Sequence, residues 1–212
     1  MQLISINIGQ KRAIENARKS GFTGIYKLPV ITPVQVTENG LAEDVICDTK
    51  NHGGPDQAVY IYSQTDYQWW SKELGQQLSP GTFGENLTIS ELESASCSVG
   101  DRLHVGEVIL EVTAPRIPCS KLAARMGDPG FVKRYRAAER PGLYCRVIRA
   151  GWVKISDEAS LERYPLETVT ILEMFRDYYE PNRSEANLRR YLSTPLAIRA
   201  RQDKEEQLLK LL

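Results

Sequence analysis
A change of character near residue 160 constrains this chain more than any single motif. Before it, apolar residues come in short runs rich in Val, Ile and Thr, closed by glycine, proline or asparagine, the pattern of a sheet built from many short strands. After it, Leu166, Val169, Ile171, Leu172, Phe175, Tyr178 and Tyr179 recur at helical spacing until Pro181. Ser184 can cap a second helix carrying Leu188, Tyr191 and Leu192, and Thr194-Pro195 opens a third. The residues therefore predict a β-rich domain over 1–160 and a three-helix domain over 161–212.

Within the first part, residues 3–8, 30–37, 45–47, 59–62, 99–105, 107–112 and 143–150 read as strands, with Glu38-Asn39-Gly40 as a hairpin-type turn. Residues 11–18 are polar and suit a short helix or a loop. Ser63-Gln-Thr-Asp66 has the spacing of a capping box, with Asp in place of Glu or Gln, and opens a helix to about residue 74 whose tryptophans read as core. Asp128-Pro129 caps and starts a helix to about residue 138.

Charge and cysteine usage exclude several classes. Lys plus Arg and Asp plus Glu number 27 each, so no global basic field points to nucleic acid or a membrane surface, and a small molecule is the expected partner. Cys47, Cys97, Cys119 and Cys145 are widely spaced, and His52 and His104 are the two histidines, which argues against a structural zinc site. The first nine residues alternate like a strand and lack the features of a signal peptide, and no segment has the apolar length of a membrane span. The expectation is a cytoplasmic protein with reduced thiols.

Chemistry-bearing residues concentrate in four loops. In Thr113-Ala-Pro-Arg-Ile-Pro-Cys-Ser-Lys-Leu122, Cys119 stands between Pro115 and Pro118 and between Arg116 and Lys121, just past a strand. Cations aimed at the thiol would lower its pKa and make it a nucleophile or metal ligand; otherwise Cys119 is a small buried hydrophobe in a turn. Around Thr23, Gly21 and Gly24 can turn tightly and offer amides to an anion, with Lys27 close behind. The run Lys50-Asn-His-Gly-Gly-Pro-Asp-Gln-Ala58 packs His52, Gly53, Gly54 and Asp56 together, an imidazole able to exchange a proton beside glycines that permit close backbone approach. Its alternative is a plain Gly-Gly-Pro-Asp turn. Gly81-Thr-Phe-Gly-Glu-Asn86 lacks the Gly-Lys-Ser/Thr of a P-loop, while Asn86 offers donor and acceptor suited to a heterocycle. Arg134, Arg136, Arg140, Arg146 and Arg149 make a locally basic stretch, either a solvated face or an anion site.

The order of these motifs carries a resemblance. Thr-Gly-Ile-Tyr-Lys-Leu-Pro-Val, Asn-His-Gly-Gly-Pro-Asp-Gln-Ala, Phe-Gly-Glu-Asn-Leu, Val-Gly-Asp and Pro-Arg-Ile-Pro-Cys-Ser-Lys-Leu together resemble the MOSC domain family, named for the C-terminal domain of molybdenum cofactor sulfurases, and the helical tail resembles its YiiM-like subgroup. The resemblance implies a mainly β fold with α, an antiparallel β-barrel-like domain plus the small three-helix domain. It further implies a molybdenum–pyranopterin cofactor whose metal is held by Cys119, with Thr23, Lys27, Gly53, Gly54, Asn86, Arg116 and Lys121 as candidate cofactor contacts. An association with pyridoxal phosphate binding comes with the same resemblance. His52 and Asp56 are implied to bind substrate or deliver protons when an N-hydroxylated compound such as 6-hydroxylaminopurine is reduced. The chain has no Gly-x-Gly-x-x-Gly fingerprint and no iron–sulfur cysteine set, so a reductase of this kind takes electrons from a separate protein. A homodimer is compatible with the resemblance. The rival expectations are a carrier of the cofactor or its sulfur, and a cysteine hydrolase using Cys119 with His52.

Overall fold
The computed structural model of the protein describes residues 1–17 and 21–211, with residues 50 and 51 described by backbone alone. Thirteen strands are β1 Leu3–Gly9, β2 Arg12–Ile14, β3 Gly21–Thr23, β4 Lys27–Val30, β5 Val34–Thr37, β6 Gly40–Leu41, β7 Val59–Ser63, β8 Leu87–Ile89, β9 Arg102–Val105, β10 Val108–Ala114, β11 Leu143–Arg149, β12 Gly151–Val153 and β13 Ala159–Glu162, counted among the described residues. The α-helices are α1 Thr49–His52, α2 Gln64–Leu74, α3 Ser120–Met126, α4 Phe131–Ala138, α5 Ile171–Tyr179, α6 Glu185–Leu192 and α7 Ile198–Leu209.

Eight strands form one sheet in the order β13-β9-β10-β11-β7-β8-β1-β4. Its neighbours are antiparallel except β7 and β8, which run parallel because α2 crosses over between them. The expected antiparallel barrel is thus corrected to a large mixed sheet without a closing ladder. On the edge away from β8, β4 occupies β1 from Ile6 to Gly9, leaving only the start of β1 for the turn before β13. There a single Gln2–Glu158 bridge, with Leu3 N–H donating to Asp157 O at 2.9 Å and Ala159 N–H to Met1 O at 2.9 Å, stitches one corner.

Side-chain alternation sorts the interior into two clusters. On β7, Val59 and Ile61 join Leu3, Leu87, Leu110, Val112, Leu143 and Cys145 in an aliphatic core. Tyr60 and Tyr62, pointing the other way, join Tyr67, Trp70, Phe83, Phe131, Tyr135 and Tyr144 in an aromatic one. Each fully buried Ile or Leu contributes roughly 1.5–3 kcal/mol relative to exposure. Every helix of the tail has a footing here: Ile171 and Tyr191 pack into the aliphatic cluster with Ala200 against it, and Phe175 enters the aromatic one.

Several local expectations change. The 30–37 strand is two strands interrupted at residues 31–33, and 45–47 is not a strand. Val45 N–H donates to Gly9 O at 2.9 Å, and the backbones stack so closely that a Cβ on Gly24 would lie 1.7 Å from Val45 O and one on Gly9 2.1 Å from Gly24 O. The 11–18 segment contains β2 rather than a helix, while Arg18 and Ser20 lie outside the described residues. Ser63 caps α2 by accepting from Thr65 N–H at 3.0 Å, but Asp66 does not complete a capping box; it accepts from Arg140 at 2.6 Å and Ser94 at 2.9 Å. Helix α4 starts at Phe131, because Asp128 folds back onto Gly130 N–H at 2.7 Å. Thr194 closes α6 through Tyr191 O at 2.7 Å, so α7 opens only at Ile198. No helix among the described residues is long and apolar enough to cross a membrane.

Candidate functional site
Strand β10 delivers the chain through Pro115 and Pro118 to Cys119, which is the N-cap residue of the unforeseen helix α3. Two prolines keep 115–118 out of helix, and α3 starts at the first position they leave free. Cys119 is half-buried at one wall of an open cleft with a cavity volume of about 70 Å³. The cleft is also lined by Thr23, Lys27, His52, Asn86, Arg116 and Lys121, so the fold gathers seven residues singled out from four loops.

Burial is the largest influence on the Cys119 thiol and pushes its pKa up. A hydrogen bond with His52, the charge of Arg116 and the Leu122 N–H together outweigh it and hold the thiol at about 6. The His52 ring also meets Tyr144, with Nδ1 to the hydroxyl at 3.3 Å. Arg116 is 5% exposed, its guanidinium stacks over the Tyr60 ring at 4.9 Å, and it forms no ion pair among the described residues. Its buried Nε has no hydrogen-bond partner there. Burial acts to lower the Arg116 pKa, yet Tyr144, Tyr60 and Cys119 raise it above the ordinary range, so the cation persists. Arg116 thus sets a buried positive charge against the Cys119 thiol at the cleft wall.

Lys27 and Asn86 line the cleft but are bound by a residue the sequence did not single out. Both Asp44 oxygens accept from Lys27 Nζ at 2.5 Å, Asn86 Nδ2 donates to Oδ2 at 2.8 Å, and Gly9 N–H donates to Oδ1 at 2.7 Å. Burial lowers the Lys27 pKa despite this partner. Asn86 Oδ1 accepts from Tyr60 N–H at 3.1 Å, so its amide is a clamp between strands. Thr23 Oγ1 accepts from Ile25 N–H at 3.1 Å, and Lys121 donates to Phe22 O at 3.1 Å, tying α3 to β3.

Gly53, Gly54 and Asp56 stand outside the cleft lining. Asp56 pairs with Arg146 at 3.1 Å and accepts from Ile198 N–H at 2.6 Å at the start of α7. Gly53 O accepts from Arg199. Of the basic stretch, Arg134, Arg136, Arg140 and Arg146 are in ion pairs and Arg149 donates to Glu107 O at 2.7 Å. Residues not foreseen are Tyr60 and Tyr144, Asp44, and Gln57, whose Oε1 is buried without a partner among the described residues. The alternation Val-Tyr-Ile-Tyr in β7 and Leu-Tyr-Cys in β11 was the available signal for the two tyrosines.

A sheet opening onto a cleft with one activated cysteine, on the segment between β10 and α3, defines a class, and the family model for the MOSC domain matches residues 48–160. The chain belongs to the MOSC domain family. Within it, the chain is 35% identical over 160 residues to YflK of Bacillus subtilis, covering 76% of this chain and 72% of that protein. It is 31% identical over 163 residues to YiiM of Escherichia coli, covering 75% and 70%. A protein of Gibberella moniliformis named a reductase is 31% identical over 158 residues, 73% of this chain but 28% of that longer protein. The crystal structure of YiiM from Geobacillus stearothermophilus superposes with a TM-score of 0.80 at 27% identity, covering 98% of both chains.

Proposed function
We propose that this protein is a reductase of N-hydroxylated compounds that works with a molybdenum–pyranopterin cofactor, and that Cys119 is its protein ligand to the metal. The observation that carries the reading is the Cys119 thiol held at about 6 by His52 and Arg116 within a cleft. No cluster of three or more His, Cys, Asp or Glu able to hold a metal occurs among the described residues. The chain therefore offers one soft thiolate to a metal that brings its remaining ligands with it, which is what a pterin-borne molybdenum does. Arg116, which forms no ion pair among the described residues, fits the negative charge of such a group, and Thr23 and Lys121 edge the same cleft. When bound, the cofactor supplies two-electron transfer.

The chain's own residues then have simple tasks. Cleaving the N–O bond of a hydroxylamine consumes two electrons and two protons and leaves an amine and water. His52, hydrogen-bonded to both Cys119 and Tyr144, is the group placed to hand a proton to the departing hydroxyl. Asp56, engaged by Arg146 and α7, is given no part in that transfer. Electrons come from a separate donor protein, since the chain carries no dinucleotide fingerprint.

The test is metal and pterin analysis of protein made in a molybdenum-replete host. Molybdenum and pterin should co-purify with the wild type and be lost in Cys119→Ala. Chemically reduced, loaded protein should convert 6-hydroxylaminopurine to the amine. Loaded protein without turnover would make it a carrier, and absence of both metal and pterin would sink the reading.

A further inference from the structure
Helix α7 reaches back across the sequence to the single turn that carries His52. Arg199 Nη2 donates to Thr49 O at 3.1 Å and to Gly53 O at 3.2 Å, the carbonyls at the two ends of α1. A helix of four residues cannot satisfy its own carbonyls, so these acceptors need an outside donor. Gly54 follows with φ at +97°, a conformation that keeps a side chain out, and a Cβ there would stand 3.7 Å from Arg199 Nη2. One turn further on, Asp56 accepts from Ile198 N–H at 2.6 Å, and Arg146 joins Asp56 to Pro195 O at 3.1 Å and Leu196 O at 2.9 Å. The α6–α7 junction and the 49–57 segment are thus pinned together at several points.

We propose that Arg199 is a positioning residue for the cleft: by holding the carbonyls on both sides of α1, it sets where the His52 ring stands against Tyr144 and Cys119. A guanidinium suits the task because its donors have fixed directions, so two acceptors at different heights constrain the turn in rotation as well as in distance. Gly53 serves the turn itself, since a Cβ there would stand 3.0 Å from Thr49 Cα, and Gly54 supplies the positive φ that follows it. The C-terminal helices become part of the site, although none contributes a side chain to the cleft lining.

This inference stands apart from the cofactor and the reaction, and its test needs neither. The chain has two histidines, so the imidazole region of a ¹⁵N-labelled sample contains two sets of signals. His104, on β9 and bonded to Glu162 at 2.8 Å, is the internal reference. At constant pH, Arg199→Ala should shift and broaden the His52 set and leave the His104 set in place. Arg199→Lys, which keeps a donor, should restore part of the wild-type position. A His52 set unchanged in Arg199→Ala overturns the proposal. Should that variant not fold, Arg199→Gln read by the same two signals decides it, an unmoved His52 again overturning the proposal.

Discussion
The two faces of the main sheet carry the same backbone and opposite chemistry. On β11, Cys145 points into the aliphatic cluster while its neighbour Tyr144 points into the aromatic one and reaches His52. An aliphatic face asks only for volume to be filled. A face of tyrosines asks in addition for a partner at every hydroxyl: Tyr60 bonds Tyr135 and Pro141 O at 3.1 Å each, and Tyr62 accepts from Trp70 at 2.8 Å and donates to Arg140 O at 2.9 Å. The polar network that results continues into the cleft through Tyr60 and Tyr144, which line it together with Cys119.

The thiols give the largest contrast. Burial pushes Cys97 up to about 12 and Cys145 well above its ordinary range, whereas Cys119 is held at about 6. At pH 7 about nine-tenths of Cys119 is thiolate against about one part in 10⁵ of Cys97, taking thiolate fraction as the reactive form. Iodoacetamide in peptide mapping should therefore label Cys119 and spare Cys97 and Cys145, with a midpoint near about 6 that rises in His52→Ala. A midpoint unmoved by that substitution breaks the link. The depressed value also ties stability to pH. The contribution is fully present above about 8.5, the free-thiol value, and is lost as pH falls through about 6. Urea midpoints should rise across that window in the wild type and rise less in Cys119→Ala.

Core variants come next. Ile61→Ala on the aliphatic face should cost about 2–5 kcal/mol in denaturant unfolding while leaving the Cys119 labelling midpoint where it was. Tyr62→Phe deletes no volume to speak of but strands the Trp70 N–H and the Arg140 carbonyl, and should cost about 1–3 kcal/mol. If Tyr62→Phe proved neutral, the hydroxyl network would be incidental and the contrast between faces would reduce to shape.

Alternation made β1, β7, β10 and β11 legible, and helical spacing with Ser184 made the tail legible. What escaped depends on contacts between distant residues. Val45 to Cys47 has strand composition, yet its backbone is used against Gly9 and Gly24 instead of in a ladder. Helix α3 escaped because its N-cap is a cysteine, outside the Ser, Thr, Asp and Asn that mark a helix start in a sequence. Barrel closure could not be judged from strand count, since it turns on which strand takes the last free edge of β1. In the site, Cys119, Arg116 and His52 were legible from residue type and crowding. Asp44 was not, because its role is defined by Gly9, Lys27 and Asn86, which lie 35, 17 and 42 positions away.

The stacked backbones of Gly9, Gly24 and Val45 bear on how any survey of mutational tolerance will look. Every side chain larger than hydrogen at Gly9 or Gly24 collides with a neighbouring carbonyl, so both positions will reject substitution. A map of intolerance laid over this fold will therefore show, besides any positions that carry chemistry, a cluster reaching the cleft wall for which steric exclusion alone is sufficient. Only a readout that separates folded but inactive variants from unfolded ones will tell the two apart.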